Sequence, residues 1–267
     1  MTSDGSPLTD EAGLLLDAYR YDYAGACWWC GRPADSREHK HKRTDVKRMY
    51  GSGPWRGEDA IIRGTGGTLR NVQGPNSVEL KFAKVLCSDC NSTRSQRADM
   101  AYDAFASYLM ENTNCILQAG EFSWSSIFPD DWRNGRDLVT AYWLKHIGCA
   151  LAENGIQVDP SLGTFLDAPG NIEDIPLVLT LEIRDDIAML HHKTGAGGLW
   201  KGDMNYEYSI SRGRAWKAWS HWGLSWLRLT YTLEEGIVGS CNFWQEDVPL
   251  PRGFNVDPAE IERLLLN

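Results

Sequence analysis

The sequence predicts an α+β protein, and three observations carry that expectation. Apolar residues recur at helical spacing in two stretches, four further stretches alternate as half-buried strands do, and two CxxC pairs, Cys27/Cys30 and Cys87/Cys90, mark out a metal-binding region in the first half.

The elements follow in chain order. LTDEAGLLLDAYR, residues 8–20, predicts a short helix capped by Thr9 or Asp10 and packed against the first cysteine pair. Residues 51–74 hold seven glycines and no helical period, which predicts a loop or insertion, and the SVELKFAKVL that follows alternates like a strand. Beyond Cys90, the positions Ala98, Ala101, Tyr102, Phe105, Tyr108 and Leu109 share one helical stripe, so Asn91, Arg94 and Gln96 are expected on the first turns of that helix. DLVTAYWLKHIGCALAENG, residues 137–155, predicts a second helix with Val139, Trp143, Ile147 and Leu151 on one stripe and Gly155 ending it. PLVLTLEIRDD, MNYEYSISRG and LSWLRLTYTLEEG read as strands of an antiparallel sheet. Near residues 113–125 the character changes from basic and cysteine-bearing to acidic and Trp-rich, which predicts two domains, 1–113 and 114–267.

Composition bounds the function. A chain of 267 residues with 42% hydrophobic content can bury a sizeable core, and no window approaches the ~18 unbroken apolar residues of a membrane span. MTSDGSPLTDEAG lacks the basic and apolar regions of a signal peptide, and the odd remainder of Cys115, Cys149 and Cys241 suits a reducing compartment, so a cytoplasmic protein with no membrane partner is expected. The net charge of −9 argues against nucleic acid until its distribution is read. Between Cys27 and Met100 there are 14 Lys and Arg against 8 Asp and Glu, an excess of +6 that leaves −15 on the remainder. The positive charge is gathered around the cysteine pairs, where it is either a nucleic-acid footprint or a solvated face without a partner.

Four thiolates in two facing CxxC knuckles match the tetrahedral preference of zinc, so Cys27, Cys30, Cys87 and Cys90 are the expected ligands of a structural Zn²⁺. A redox reading of either pair needs a thioredoxin-like βαβ context, which CWWCGRPADSREHKH does not supply. Between the pairs lies Glu38-His39-Lys40-His41; in an extended segment Glu38 and Lys40 share one face and His39 and His41 the other. Glu38 and Asn91 offer hard oxygen ligands, and an imidazole can take a proton from water near neutral pH.

CxxC, an acidic-His pair and then CxxCN together resemble the zinc-containing branch of the HNH (ββα-metal) nucleases, and within it the recombination endonuclease VII type. CNSTRSQRADMAYDAFASYL and KHIGCALAENG are also similar to parts of HNH proteins common in phages and actinobacteria. The resemblance covers roughly residues 20–112. It implies a ββα-metal nuclease domain in which His39 is the general base, Glu38 with Asn91 holds a catalytic Mg²⁺ or Mn²⁺, Arg94 touches a phosphate and His41 assists as a phosphate ligand. The implied reaction is single-metal hydrolysis of DNA phosphodiesters in a phage-related or anti-phage setting. Departures are plain: KFAKVL carries no asparagine before the second CxxC, Glu38 stands where the endonuclease VII pattern has Asp, and 45 residues separate His41 from Cys87.

GRAWKAWSHWGLSWLRL places Trp216, Trp219, Trp222 and Trp226 among basic residues, a composition that serves core packing, base stacking or a grip on a protein partner or second copy. Two function classes follow: a DNA endonuclease, or a catalytically silent zinc module that binds nucleic acid or assembles a complex.

Overall fold

The computed structural model describes residues 20–57, 60–65, 68–194, 197–209 and 211–253. The helix expected over 8–20 lies, but for its last residue, outside them. The chain is a mixed α+β protein with antiparallel sheets.

In the first half an extended segment around Ser36–Lys40 lies antiparallel to 80–86. Ser36 N–H donates to Leu86 O at 2.9 Å, Phe82 N–H to Glu38 O at 2.8 Å and Lys40 N–H to Leu80 O at 2.7 Å. SVELKFAKVL is nonetheless no continuous strand: Val78–Leu80 forms a 3-10 turn, and pairing survives as isolated bridges at Lys81 and Leu86. Phe82, Val85 and Leu86 are all buried. Adjacent positions 85 and 86 cannot both point inward from a regular pleat, so the chain departs from one.

Between the two segments come α1 (Arg43–Tyr50) and a hairpin of β1 (Ile61–Thr65) and β2 (Thr68–Val72), with Ile61 opposite Val72. The glycine-rich stretch expected to be a loop therefore carries an antiparallel pair. Its Val72 joins Val46 and Trp55 in a small hydrophobic cluster of its own. After the hairpin come α2 (Ser88–Asn91) and α3 (Gln96–Glu111), with a break at Ser92 where one continuous helix was expected.

The chain continues through α4 (Thr113–Ala119), β3 (Glu121–Ser123) and α5 (Trp124–Ile127) to α6 (Trp132–Glu153), which Asp131 caps by accepting from Asn134 N–H at 3.2 Å. The expected apolar stripe on α6 is present, but from Val139 to Ala152 the helix is buried on every face. It lies against α3, where Tyr102 and Tyr142 stack at 3.8 Å. Past α7 (Pro160–Asp167) the main sheet forms from β4 (Leu177–Arg184), α8 (Asp185–Thr194) beside it, β5 (Leu199–Lys201), β6 (Asn205–Ser209), β7 (Arg214–Leu224) and β8 (Leu227–Glu234), with short edge pieces later in the chain. β8 lies between β4 and β7, antiparallel to both.

Alternation works as the pattern requires. Leu177, Leu179, Leu181 and Ile183 of β4 face inward with Leu227, Leu229 and Tyr231 of β8. Trp222 and Trp226 are core residues, the Trp226 indole donating to Thr113 Oγ1 at 3.2 Å, while Trp216 and Trp219 are half-buried. One continuous cluster of buried residues runs from Cys27 to Leu250, so side chains from both sides of position 113 share a core. Among the described residues no helix is long and apolar enough to cross a membrane.

Candidate metal centre and the acid-histidine site

The four cysteines converge. Their sulfurs all lie within 4.8 Å of one another, none is in a disulfide, and Cys30 Sγ stands 3.6 Å from Cys87 Sγ. Four sulfurs each about 2.3 Å from a tetrahedral zinc would be about 3.8 Å apart, so this set can hold a structural zinc ion.

Local backbone makes each knuckle. Gly31 N–H donates to Cys27 O at 2.8 Å and Cys27 N–H to Arg32 O at 2.6 Å, a turn that carries Gly31 through φ +73°, where a side chain would be strained. At the second pair, Cys87 caps α2, its sulfur accepting from Cys90 N–H at 3.4 Å. The sulfurs also receive Arg32 Nε on Cys30 at 3.4 Å and an Arg94 guanidinium nitrogen on Cys90 at 3.2 Å. Burial opposes ionisation of Cys30, but the Arg32 donors outweigh it and draw its pKa down to about 6. Donors of this kind stabilise metal-bound thiolates from outside the ligand shell.

The knuckles are tied to each other and to the helices behind them. Arg32 pairs with Asp89, and Asp35 Oδ1 accepts from both Ser88 N–H (2.6 Å) and Ser88 Oγ (2.8 Å). Gly148 on α6 lets the Trp28 ring approach so closely that a Cβ there would lie 2.3 Å from it. Arg94 lies over the Trp29 ring at 4.5 Å and pairs with Asp167 on α7. In this arrangement Arg94 is a strut between knuckle and α7, engaged on three sides.

Glu38, His39 and Asn91 meet different neighbours. Glu38 Oε2 is 3.1 Å from Lys145 Nζ, and Oε1 accepts from His39 N–H at 3.1 Å and lies 3.6 Å from His146 Nε2. Lys145, only 1% exposed, also bonds Asp99 Oδ1 at 2.9 Å and Ser95 Oγ at 3.2 Å. Burial alone would raise the Glu38 carboxyl pKa, but the Lys145 charge overrides it and holds the group below the usual carboxylate range. On the same helix Glu153 receives Lys40 Nζ at 2.9 Å and Ala83 N–H at 2.9 Å, and His146 Nε2 meets His39 O at 3.0 Å. The extended segment that carries the motif is thus fastened along α6.

The His39 ring faces Pro75 O with Nε2 at 3.2 Å. A nitrogen facing a carbonyl carries the proton, so neutral His39 presents its lone pair at Nδ1. Burial, helped by Lys81 and Arg43, outweighs the pull of Glu38 and holds its pKa below the ordinary imidazole value. The Asn91 amide nitrogen donates to Ser36 Oγ at 2.8 Å, while its Oδ1 is buried without a hydrogen-bond partner. His41 lines cavities on the sheet side of the segment.

A Mg²⁺ or Mn²⁺ shared by Glu38 and Asn91 does not fit this arrangement. Both Glu38 oxygens already have partners, one of them a fully buried ammonium, and Asn91 contributes a single open oxygen. Lys145, His146 and Ser36 are the residues that sequence reasoning missed. Their one signal was a Lys-His pair inside an otherwise apolar helix, where a charge needs a buried partner. No family profile, curated protein or solved structure matches the chain.

Proposed function

We propose that the protein is a zinc-stabilised nucleic-acid-binding module, with Glu38 serving the fold as the partner of Lys145. One observation carries the reading. Arg43 and Lys47 on α1, Arg56 beside the hairpin and Arg70 on β2 are all exposed and form no ion pair among the described residues, whereas Lys40, Lys42, Lys145 and Lys217 each meet a carboxylate. Four such cations, on α1, on β2 and in the connection between α1 and the hairpin, suit a phosphate backbone, despite the overall charge of −9.

The layout also supports the resemblance to ββα-metal proteins: two antiparallel extended segments, then a short helix opening at a cysteine knuckle. Two observations favour a second reading, an HNH endonuclease. The Pro75 carbonyl orients His39 with a free lone pair, and Asn91 Oδ1 has no partner. That reading requires Lys145 to leave Glu38.

One experiment separates the two. Fluorescein-labelled single-stranded and duplex DNA are titrated at several salt concentrations, and supercoiled plasmid is incubated with the zinc-loaded protein and Mg²⁺ or Mn²⁺, with EDTA as the control. The binding reading expects a logarithmic salt slope, about 0.7–0.9 per phosphate contacted, that falls in an Arg43→Glu/Lys47→Glu variant, and intact plasmid throughout. Metal-dependent nicking that His39→Ala lowers by about 10²–10⁴-fold, with binding retained, would establish the endonuclease instead. If neither the single strand nor the duplex binds at low salt, both readings are rejected.

A further inference from the structure

We infer that the cavity between α1, the β1–β2 hairpin and β5 is a pocket for one unpaired nucleotide of a nucleic-acid strand. The inference rests on the nucleic-acid reading above and names the part of the strand this face takes.

The cavity measures about 310 Å³, at the lower end of the roughly 300–1,000 Å³ of small-molecule sites. It has room for one nucleotide and none for a base pair. Tyr50 and Trp55 supply aromatic walls, and Val46, Val72, Leu80 and Leu199 complete the apolar lining. The walls are fixed: the Trp55 indole N–H donates to Tyr50 O at 2.6 Å, Leu199 N–H donates to the Tyr50 hydroxyl at 2.9 Å, and the Tyr50 and Trp55 rings meet edge-to-face at 6.1 Å. A flat body with apolar faces fits against such walls.

Charge gives the rest of the occupant. Lys40, His41 and Lys201 line the same cavity, with Asp203 as the single carboxylate. The Lys40 ammonium is held by Glu153 at 2.9 Å on the α6 side, and Lys201 Nζ donates to Gly202 O at 3.2 Å, so Lys201 and His41 are the basic side chains left to face an occupant. The rim adds further cations by simple periodicity. Arg43, Val46, Lys47 and Tyr50 stand at i, i+3, i+4 and i+7 of α1, one helical face, so the residues that wall the pocket share that face with two of the unpaired cations. Arg70 stands two residues before Val72 on β2 and therefore on the same side of the strand. An aromatic slot rimmed by cations matches a base with its phosphate, the chain continuing across α1 and the hairpin. A paired base, stacked within a duplex, cannot enter it. Lys40 and His41 directly follow His39 in the chain, so the pocket lies on the segment that carries the motif.

The test uses the full, zinc-loaded chain and a ten-residue oligothymidylate bearing one 4-thiothymidine, photo-crosslinked and mapped by mass spectrometry, with fluorescence anisotropy for affinity. Crosslinks are expected on the peptides carrying Tyr50, Trp55 or Leu199. The single strand is expected to bind at least about tenfold more tightly than a duplex of equal length, because stacking in the pocket is open only to an unpaired base. Lys201→Glu should remove most of that preference and leave duplex affinity within about twofold. Crosslinks elsewhere, or equal affinity for the two substrates, overturn the pocket and leave the nucleic-acid reading standing. Binding of neither substrate ends both. If 4-thiothymidine monophosphate labels these peptides while the strand neither labels them nor competes, the source is a free nucleotide and the strand assignment fails.

Discussion

The four-cysteine cluster and the Glu38–Asn91 neighbourhood lie on the same short stretches of chain, yet they end in opposite states. At the cluster, four donors converge with their lone pairs unclaimed except by weak N–H···S contacts. At Glu38, an ammonium from a helix 107 positions further along has taken the place a cation ligand would occupy. Residues adjacent in a motif are therefore a metal site only if nothing else in the fold neutralises them. The cysteines meet that condition because thiols buried among apolar groups have few competing partners. A buried carboxylate must find a cation from somewhere, and here the protein supplies its own.

Removing the zinc ligands should cause the largest change. Structural zinc sites contribute on the order of 10 kcal/mol to the folding of small zinc peptides. If the cluster holds zinc, Cys87→Ala is expected to lose the metal and to weaken or abolish the cooperative unfolding transition, read by elemental analysis and circular dichroism. Zinc-free native protein with an unaltered melt would remove the metal from the account.

Breaking the Glu38 pair comes next. Lys145→Met leaves a carboxylate buried without its cation and should cost about 3–5 kcal/mol in denaturant unfolding. Adding Glu38→Gln to the same chain should recover a large part, because the uncompensated charge is gone. If Glu38 instead serves a divalent ion, Lys145→Met would cost less and stability would rise with added Mg²⁺.

How far the sequence foretold these two regions depends on the range of the interactions. The cysteine spacing is local, and it survived into the structure intact. The α3 and α6 stripes and the alternation of β4 and β8 were equally legible, since each follows from one element's own period. β7 shows no strand pattern in the sequence because Trp219 and Trp222 occupy opposite faces, so Trp on both sides hides the pleat. The β1–β2 hairpin is masked by glycines, and the Lys-His pair in α6 signals only that a buried charge needs a partner, not that the partner is Glu38 in the other half of the chain.

Acidity should separate Glu38 from a second buried carboxylate, Asp45, which is 1% exposed and bonded to Arg48 at 2.6 Å. Burial lifts the Asp45 pKa to about 6, Tyr102 and Arg48 offsetting only part of it. A raised acid holds its proton more tightly folded than unfolded, so its contribution grows as pH falls from about 6 towards about 4. Asp45→Asn should flatten that part of the stability profile, by up to about 3 kcal/mol. Glu38 has the opposite sign. Its depressed pKa gives a contribution that is full above the unfolded carboxylate value near 4.3 and is lost as pH falls through its folded pKa. Urea unfolding from pH 4 to 7 measures the first; a profile for Asp45→Asn as steep as that of the wild type would show the carboxyl to be titrating normally.

The smallest expected effect tests the part of the motif that changed role. Sequence pattern makes Arg94 a phosphate contact, whereas its guanidinium lies over Trp29, on Cys90 and against Asp167. Its side chain is 30% exposed and Asp167 is 51% exposed, so solvent screens the pair and most of the effect comes from the ring and sulfur contacts. Arg94→Ala should therefore lower stability by only about 1–2 kcal/mol and loosen zinc, seen as faster transfer to a chelator. The salt dependence of DNA binding distinguishes strut from ligand, because each lost phosphate contact lowers the logarithmic slope by about 0.7–0.9. An unchanged slope with faster zinc loss fits the strut. A slope reduced by a full contact, with zinc held as firmly as before, would mean that Arg94 swings away from Asp167 to meet the strand, and that the second knuckle presents a basic group to nucleic acid.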